Sequence, residues 1–194
     1  ANELMSWRGK LDGALSAFAI QPGGSLRLIN QRASGGIAPC FASLDAAGHF
    51  LLAANYASGT VALLPVKSDG SLGRLLSRGI HQGHRPNSVR QEAPHAHSIR
   101  MDRSNTWALA ADLGIDQLVI YRVANGRLVL HTLAALHPGA GPRHFDFHPD
   151  GRIIYIANEL DSTVTALRFD PGLAICEPMQ TVSTLPAGFQ GENT

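Results

Sequence analysis

Three stretches of the chain align with one another without a gap across their centres. They are PCFASLDAAGHFLLAANYASGTVALLPV from Pro39 to Val66, AHSIRMDRSNTWALAADLGIDQLVIYRV from Ala96 to Val123, and PRHFDFHPDGRIIYIANELDSTVTALRF from Pro142 to Phe169. Asn55, Asp112 and Asn158 hold the same place in each, at offsets of 57 and 46 residues. An apolar, β-rich run precedes this polar residue (FLLAA, WALAA, IIYIA), and a second run starts six residues after it, at Val61, Leu118 and Val164. Turn pairs divide the strands, among them Ala47-Gly48, Ser104-Asn105 and Asp150-Gly151, with Asp69-Gly70 and Asn125-Gly126 after the second run. Each unit therefore reads as about four short strands. A four-stranded sheet with two apolar faces cannot bury both by itself. Stacking such sheets around an axis buries the faces and leaves only short edges. The sequence thus predicts an all-β chain, a β-propeller of four-stranded blades. A β-sandwich with chance similarity is the competing fold, and the gapless register speaks against it. No segment sustains a helical period, although PHAHSIRMD passes for one briefly.

The chain has 194 residues, enough for one domain with a sizeable core, and residues 1–194 are expected to form a single partial propeller. At 44% hydrophobic and 16% charged residues the composition is globular. A formal net charge of +1 gives no basic field for nucleic acid, so no nucleic-acid partner is expected. No apolar run approaches the roughly 18 residues of a membrane span, so no membrane partner is expected either. Cys40 and Cys176 lie far apart and read as reduced, buried thiols, which points to a cytoplasmic protein. Asn2-Glu3 echoes Asn158-Glu159, with ALSAFAI from Ala14 to Ile20 as the next strand, so the chain opens in mid-blade and holds about four blade equivalents. It lacks an initiator Met and ends on Gln190-Gly191-Glu192-Asn193-Thr194 without a closing segment; a fragment is expected.

The unusual polar residues ride on this repeat. The run Ile153–Ala157 reads as an inner, channel-lining strand, with Arg143 and His144 before it and Asn158 and Glu159 after it, so that both ends project toward one pocket. His97 matches Arg143 by the repeat offset, and a spacing of two puts His95 and His97 on one face of a strand. Histidine moves protons near neutral pH, arginine clamps a carboxylate or phosphate through a planar fork, and Glu159 accepts or donates a proton if burial raises its pKa. His95, His97, Arg143 and Glu159 are therefore the catalytic candidates. Asn55, Asp112, Asp116, His144 and Asn158 are candidates for substrate contact. Asp112 and Asp116 have an alternative, the satisfaction of backbone groups in turns, and His144 has one in packing beside a strand. His148-Pro149 and Asp150-Gly151 read as turn residues, and His81, His84, His131 and His137 as solvated residues in connections. His95-x-His97 with a third ligand could hold zinc, but no cysteine lies near and no third ligand is evident. The sequence has no G-x-S-x-G elbow, no phosphate-binding GxxxxGK[ST] loop and no dinucleotide fingerprint.

Taken together, ANY at Ala54 to Tyr56, RQEAPHAHS at Arg90 to Ser98, DLGID at Asp112 to Asp116, GAGPRH at Gly139 to His144, FHPDGR at Phe147 to Arg152 and YIANEL at Tyr155 to Leu160 resemble one family. It is the seven-bladed propeller lactonase family of the bacterial cycloisomerase-type 6-phosphogluconolactonases. The resemblance spans roughly Pro39 to Pro186, with STLP at Ser183 to Pro186 extending it. It implies a seven-bladed ring of roughly 330 residues, of which this chain supplies part. The family is similar to fungal carboxymuconate lactonizing enzymes, in which a His, an Arg and a Glu of the channel are implicated. That likeness carries these roles onto the PHAHS motif, onto Arg143 and onto Glu159, and leaves open whether His95 or His97 is the matching histidine. It implies a small-molecule lactone substrate, most naturally 6-phosphogluconolactone in the pentose phosphate pathway, and no metal or organic cofactor. A carboxymuconate cycloisomerase is the alternative enzyme. A non-catalytic scaffold is the alternative outside enzymes, although 6% aromatic residues give no support to a binding rim. Oligomeric state is not indicated.

Overall fold

The computed structural model of the chain describes residues 1–85, 87, 89–191 and 193; Glu192 and Thr194 of the terminal stretch lie outside the described residues. Among these residues the only regular elements are strands. β1 (Ala14–Ile20) and β2 (Leu26–Ala33) form a two-stranded sheet. Three four-stranded sheets follow. The first is β3 (Pro39–Leu44), β4 (Phe50–Asn55), β5 (Thr60–Pro65) and β6 (Ser77–Ile80). The second is β7 (Ala96–Met101), β8 (Trp107–Asp112), β9 (Gln117–Ala124) and β10 (Arg127–Ala135). The third is β11 (Pro142–Phe147), β12 (Ile153–Asn158), β13 (Thr163–Asp170) and β14 (Ile175–Ser183). Every sheet is an antiparallel meander, each strand pairing with the next in sequence. The expected four blades are three whole blades and one half blade, and a bridge from Asn2 to Ala14 supplies the edge of the half blade's missing strand. Among the described residues no helix is long and apolar enough to cross a membrane.

The continuous apolar runs follow from this stacking. Along β8, Trp107, Leu109 and Ala111 face the third blade, where they meet Phe145, Ile154, Ile156 and Phe169. The alternate residues Ala108 and Ala110 face the first blade and meet Leu52, Ala54, Val61 and Leu63. In turn, Ala53, Ala62 and Leu64 face Leu15 of the half blade. Each whole blade between neighbours thus buries both faces, which is why its strands show no polar alternation. The repeat in sequence is the repeat of these interblade layers.

Sheet order also decides which strands line the axis. β3 packs beside β7 and β11 beside β7, so the first strand of each blade is the inner one. This corrects the sequence reading of Ile153–Ala157: that run is β12, second from the axis. Arg143 and His144 do not precede the inner strand but lie within it, on β11. They meet Glu159 because the β11–β12 hairpin sets Pro142 opposite Asn158. The two ends of one six-residue strand would instead stand roughly 17 Å apart.

Candidate active site at the channel mouth

The three inner strands share one irregularity. Pairing skips Cys40 between Pro39 and Phe41, His97 between Ala96 and Ser98, and Arg143 between Pro142 and His144. A β-bulge leaves its extra residue unpaired and re-aims that side chain. The same bulge in three successive blades therefore turns three side chains toward one end of the channel. Cys40 Sγ lies 3.9 Å from His97 Nδ1, and the His97 ring stands edge-on to His144 with centroids 5.1 Å apart.

Residues just past the second strands complete the cluster. Tyr56, which follows β4, stacks on His95 at 4.4 Å and meets the edge of His97 at 5.6 Å. Glu159, which follows β12, forms an ion pair through Oε2 with Arg143 Nε, 2.7 Å away. Its Oε1 accepts from Arg90 Nη2, which comes from the connection between the first and second blades. One carboxylate thus holds two guanidinium groups from different parts of the chain. A cavity of about 390 Å³ opens here, with Arg143, His144, Asn158 and Glu159 among its walls.

Burial sets the protonation of the histidines. His97 is nine-tenths buried, and desolvation, helped by Arg143 and His144, lowers its pKa to about 4. The imidazole is therefore neutral at pH 7, with Nδ1 near Cys40 and no protein partner for Nε2 among the described residues. Burial, Arg143 and Arg100 push His144 the same way. Burial and the charge of Glu3 raise the Cys40 thiol to about 12, so it stays protonated and is no nucleophile. His95 is tied at both nitrogens, Nδ1 to the Tyr56 carbonyl at 3.1 Å and Nε2 to Glu92 at 3.2 Å. Among the described residues no three His, Cys, Asp or Glu side chains converge as a group that could hold a metal ion.

Comparison with known proteins bears on what such a cluster does. The family described as lactonase, 7-bladed beta-propeller, matches residues 5–194. The chain belongs to this family. The 6-phosphogluconolactonase of Bacillus subtilis (strain 168) is 38% identical over 178 residues, which cover 91% of this chain and 51% of the relative. A 6-phosphogluconolactonase of Pectobacterium atrosepticum is 33% identical over 78% of this chain and 43% of its own length. Among solved structures, the periplasmic gluconolactonase of Pseudomonas aeruginosa superposes with a TM-score of 0.85 at 31% identity, over 98% of this chain and 55% of that one. The lactonase-family chain thus spans about half the length of the relatives it matches.

Within this lactonase propeller the sequence-derived residues separate into two groups. His95, His97, Arg143, His144 and Glu159 come together at the channel mouth. Asn55, Asp112 and Asp116 do not reach it with free polar groups; all three are fully buried. Asn55 Nδ2 donates to the Ser34 carbonyl and to Thr60. Asp112 Oδ1 accepts from the backbone of His95 at 2.7 Å and of Gly114 at 3.0 Å. Asp116 accepts from the backbone of Gly139 and Gly141, each at 2.8 Å, and from Gln91 at 2.7 Å. The oxygens of Asp112 and Asp116 are engaged by the loops that carry His95 and Arg143, the turn-holding alternative, whereas Asn55 gives Nδ2 to Ser34 and Thr60 and keeps Oδ1 buried with no partner among the described residues. Asn158 borders the cavity, with Nδ2 given to Thr163 and Thr165. His81 is likewise not solvated. It is buried with Nδ1 2.5 Å from Asp112 Oδ2. Three site residues escaped the sequence reading. Cys40 and Tyr56 were within reach of it, since the offsets of 57 and 46 map Cys40 onto His97 and Arg143, and Tyr56 onto Glu159. Arg90 sits in a connection with no counterpart in the other units, and no repeat signal marks it.

Proposed function

We propose that the ring to which this chain contributes hydrolyses a sugar lactone, 6-phosphogluconolactone to 6-phosphogluconate, in the pentose phosphate pathway. The observation that carries the reading is the neutral His97 beside an Arg143–Glu159 pair at the channel mouth, in a chain 38% identical to a 6-phosphogluconolactonase. Arg143 donates to the lactone carbonyl oxygen, where negative charge grows as water attacks. His97 Nε2 takes the proton of that water. The carbon–ring-oxygen bond then breaks, and the proton returns from the imidazole to the departing ring oxygen. The product is an open chain with a carboxylic acid, which ionises. Glu159, bound by two guanidiniums, fixes Arg143 rather than shuttling a proton. The two unpaired cysteines support a cytoplasmic location, whereas the Pseudomonas neighbour is named a periplasmic enzyme.

The test is lactone hydrolysis by the chain completed to a full ring, with 6-phosphogluconolactone and glucono-1,5-lactone compared after subtraction of spontaneous hydrolysis. Arg143→Ala is expected to lower kcat/KM by roughly 10²-fold, the scale of a lost transition-state donor. Glu159→Gln is expected to lower it less, roughly tenfold, because the amide still accepts one hydrogen bond. No rate above background on either lactone from a folded protein would overturn the reading and favour a carboxymuconate-type cycloisomerase.

A further inference from the structure

Two guanidiniums share the single carboxylate of Glu159, but they occupy different surroundings. Arg143 stands on the side of the histidines, and its field reaches both His97 and His144. Arg90 reaches Glu159 through the other oxygen, Oε1, and lies against Tyr56. We propose that Arg90 binds the phosphate of the substrate and makes the site select phosphorylated over neutral lactones, an inference that rests on the lactonase reading for its choice of ligand.

Among the described residues, hydrogen bonds hold the backbone around Arg90. Asn87 Oδ1 accepts the backbone N–H groups of Val89 and Arg90, each at 3.1 Å. Next to it, Gln91 is fully buried and donates to the Leu113 carbonyl at 2.8 Å and to Asp116 at 2.7 Å. Arg85 closes the base of the loop, its backbone N–H to the Gln91 carbonyl and its Nε to the Ile115 carbonyl. The backbone of Arg90 is thereby pinned to the second blade before any ligand arrives, and preorganisation of this kind lowers the ordering cost of binding.

Charge and exposure point the same way. The Arg90 side chain keeps 34% of its surface exposed, against 13% for Glu159. Glu159 engages the donors on Nη2 and Tyr56 lies against the same guanidinium, and the exposed part of the five-donor group can still meet an oxyanion. The neighbouring Glu92 is drawn toward His95. A phosphate monoester carries about −1.5 to −2 at pH 7 and accepts forked hydrogen bonds from a guanidinium, whereas the hydroxymethyl group of an unphosphorylated lactone offers no charge.

The experiment measures binding by calorimetry, so that it does not depend on turnover. 6-Phosphogluconate and gluconate are titrated into the ring-completed protein and into Arg90→Met and Arg90→Lys. The unaltered protein is expected to bind 6-phosphogluconate at least tenfold more tightly than gluconate. Arg90→Met is expected to reduce that preference to about threefold or less, and Arg90→Lys to retain part of it. A preference unchanged in Arg90→Met, or none in the unaltered protein, overturns the assignment. If the Met variant does not fold, the Lys variant decides, and an undiminished preference there overturns it too. Hydrolysis is followed on the same samples. A preference that depends on Arg90 without any turnover would remove the lactonase reading and leave the anion site standing.

Discussion

His95 and His97 lie two residues apart in one motif, yet they are placed in opposite situations. Both nitrogens of His95 are engaged, and its backbone N–H is fixed by Asp112. His97 is lifted out of its ladder by a bulge and held neutral by burial. If His97 is the base, kcat/KM should rise with pH through about 4 and stay level to pH 7, because only the neutral ring accepts a proton. An acid limb in the ordinary histidine range, between roughly 6 and 7, would take the base role from His97. Stability should move in the same direction. With the folded-state pKa lowered from 6.5 to about 4, the unfolded chain binds more protons between these values. Stability is then complete above about pH 6.5 and declines as pH falls toward 4, by an amount on the order of 1–2 kcal/mol at pH 5. Urea unfolding at pH 7 and pH 5, with His97→Gln as the comparison, reads this directly: the variant should lose less than the parent.

Between strands, the buried aspartates do the positioning. Asp116 joins the β8–β9 turn to the loop that enters β11, through Gly139 and Gly141. Gly141 itself has φ 63°, and a Cβ there would stand 2.4 Å from Leu160 Cγ, so the approach to Arg143 admits only glycine without rearrangement. Asp116→Ala would strand the backbone donors of Gly139 and Gly141 and remove one of the two acceptors of Gln91 Nε2. It is expected to destabilise the chain by about 3 kcal/mol in urea unfolding. The lactone hydrolysis proposed for the completed ring should fall in the surviving folded fraction as well, because the entry to β11 sets Arg143. Activity preserved per folded molecule would show that Asp116 holds the fold without placing the site. The bulges belong to the same scale: a side chain that would otherwise sit in the ladder is redirected by one extra residue, and pairing resumes on either side.

For the whole molecule, the arc of three and a half blades leaves two flanks open. Phe18 and Leu28, paired across β1 and β2, are exposed on one flank, and Tyr155, Ile175 and Met179 are exposed on the last blade. The accessible surface is 10243 Å², against about 8,900 Å² expected by scaling for a compact monomer of 20.6 kDa. Apolar flanks of this extent are expected to drive concentration-dependent association of the isolated chain in sedimentation. Completion of the ring should abolish it, since the added blades cover both flanks. A monodisperse isolated chain at high concentration would show that the flanks are not sticky enough to matter.

The repeat, and with it the propeller, was legible in the sequence, because burial of both faces of every blade forces apolar runs and tight turns to recur at nearly constant spacing. The same register also placed His97 on Arg143, a match the shared bulge explains. What tertiary structure alone decided is which strand lines the axis and which polar side chains keep free donors and acceptors. Asp112 and Arg143 look equally functional in sequence, since both are charged residues beside a strand. One is fully buried and consumed by backbone N–H groups of neighbouring turns; the other is turned outward by a bulge. Arg90 shows the limit most clearly. It reaches Glu159 from 69 residues away in sequence, and contact between such distant side chains is fixed by how blades pack, not by any local pattern of residues.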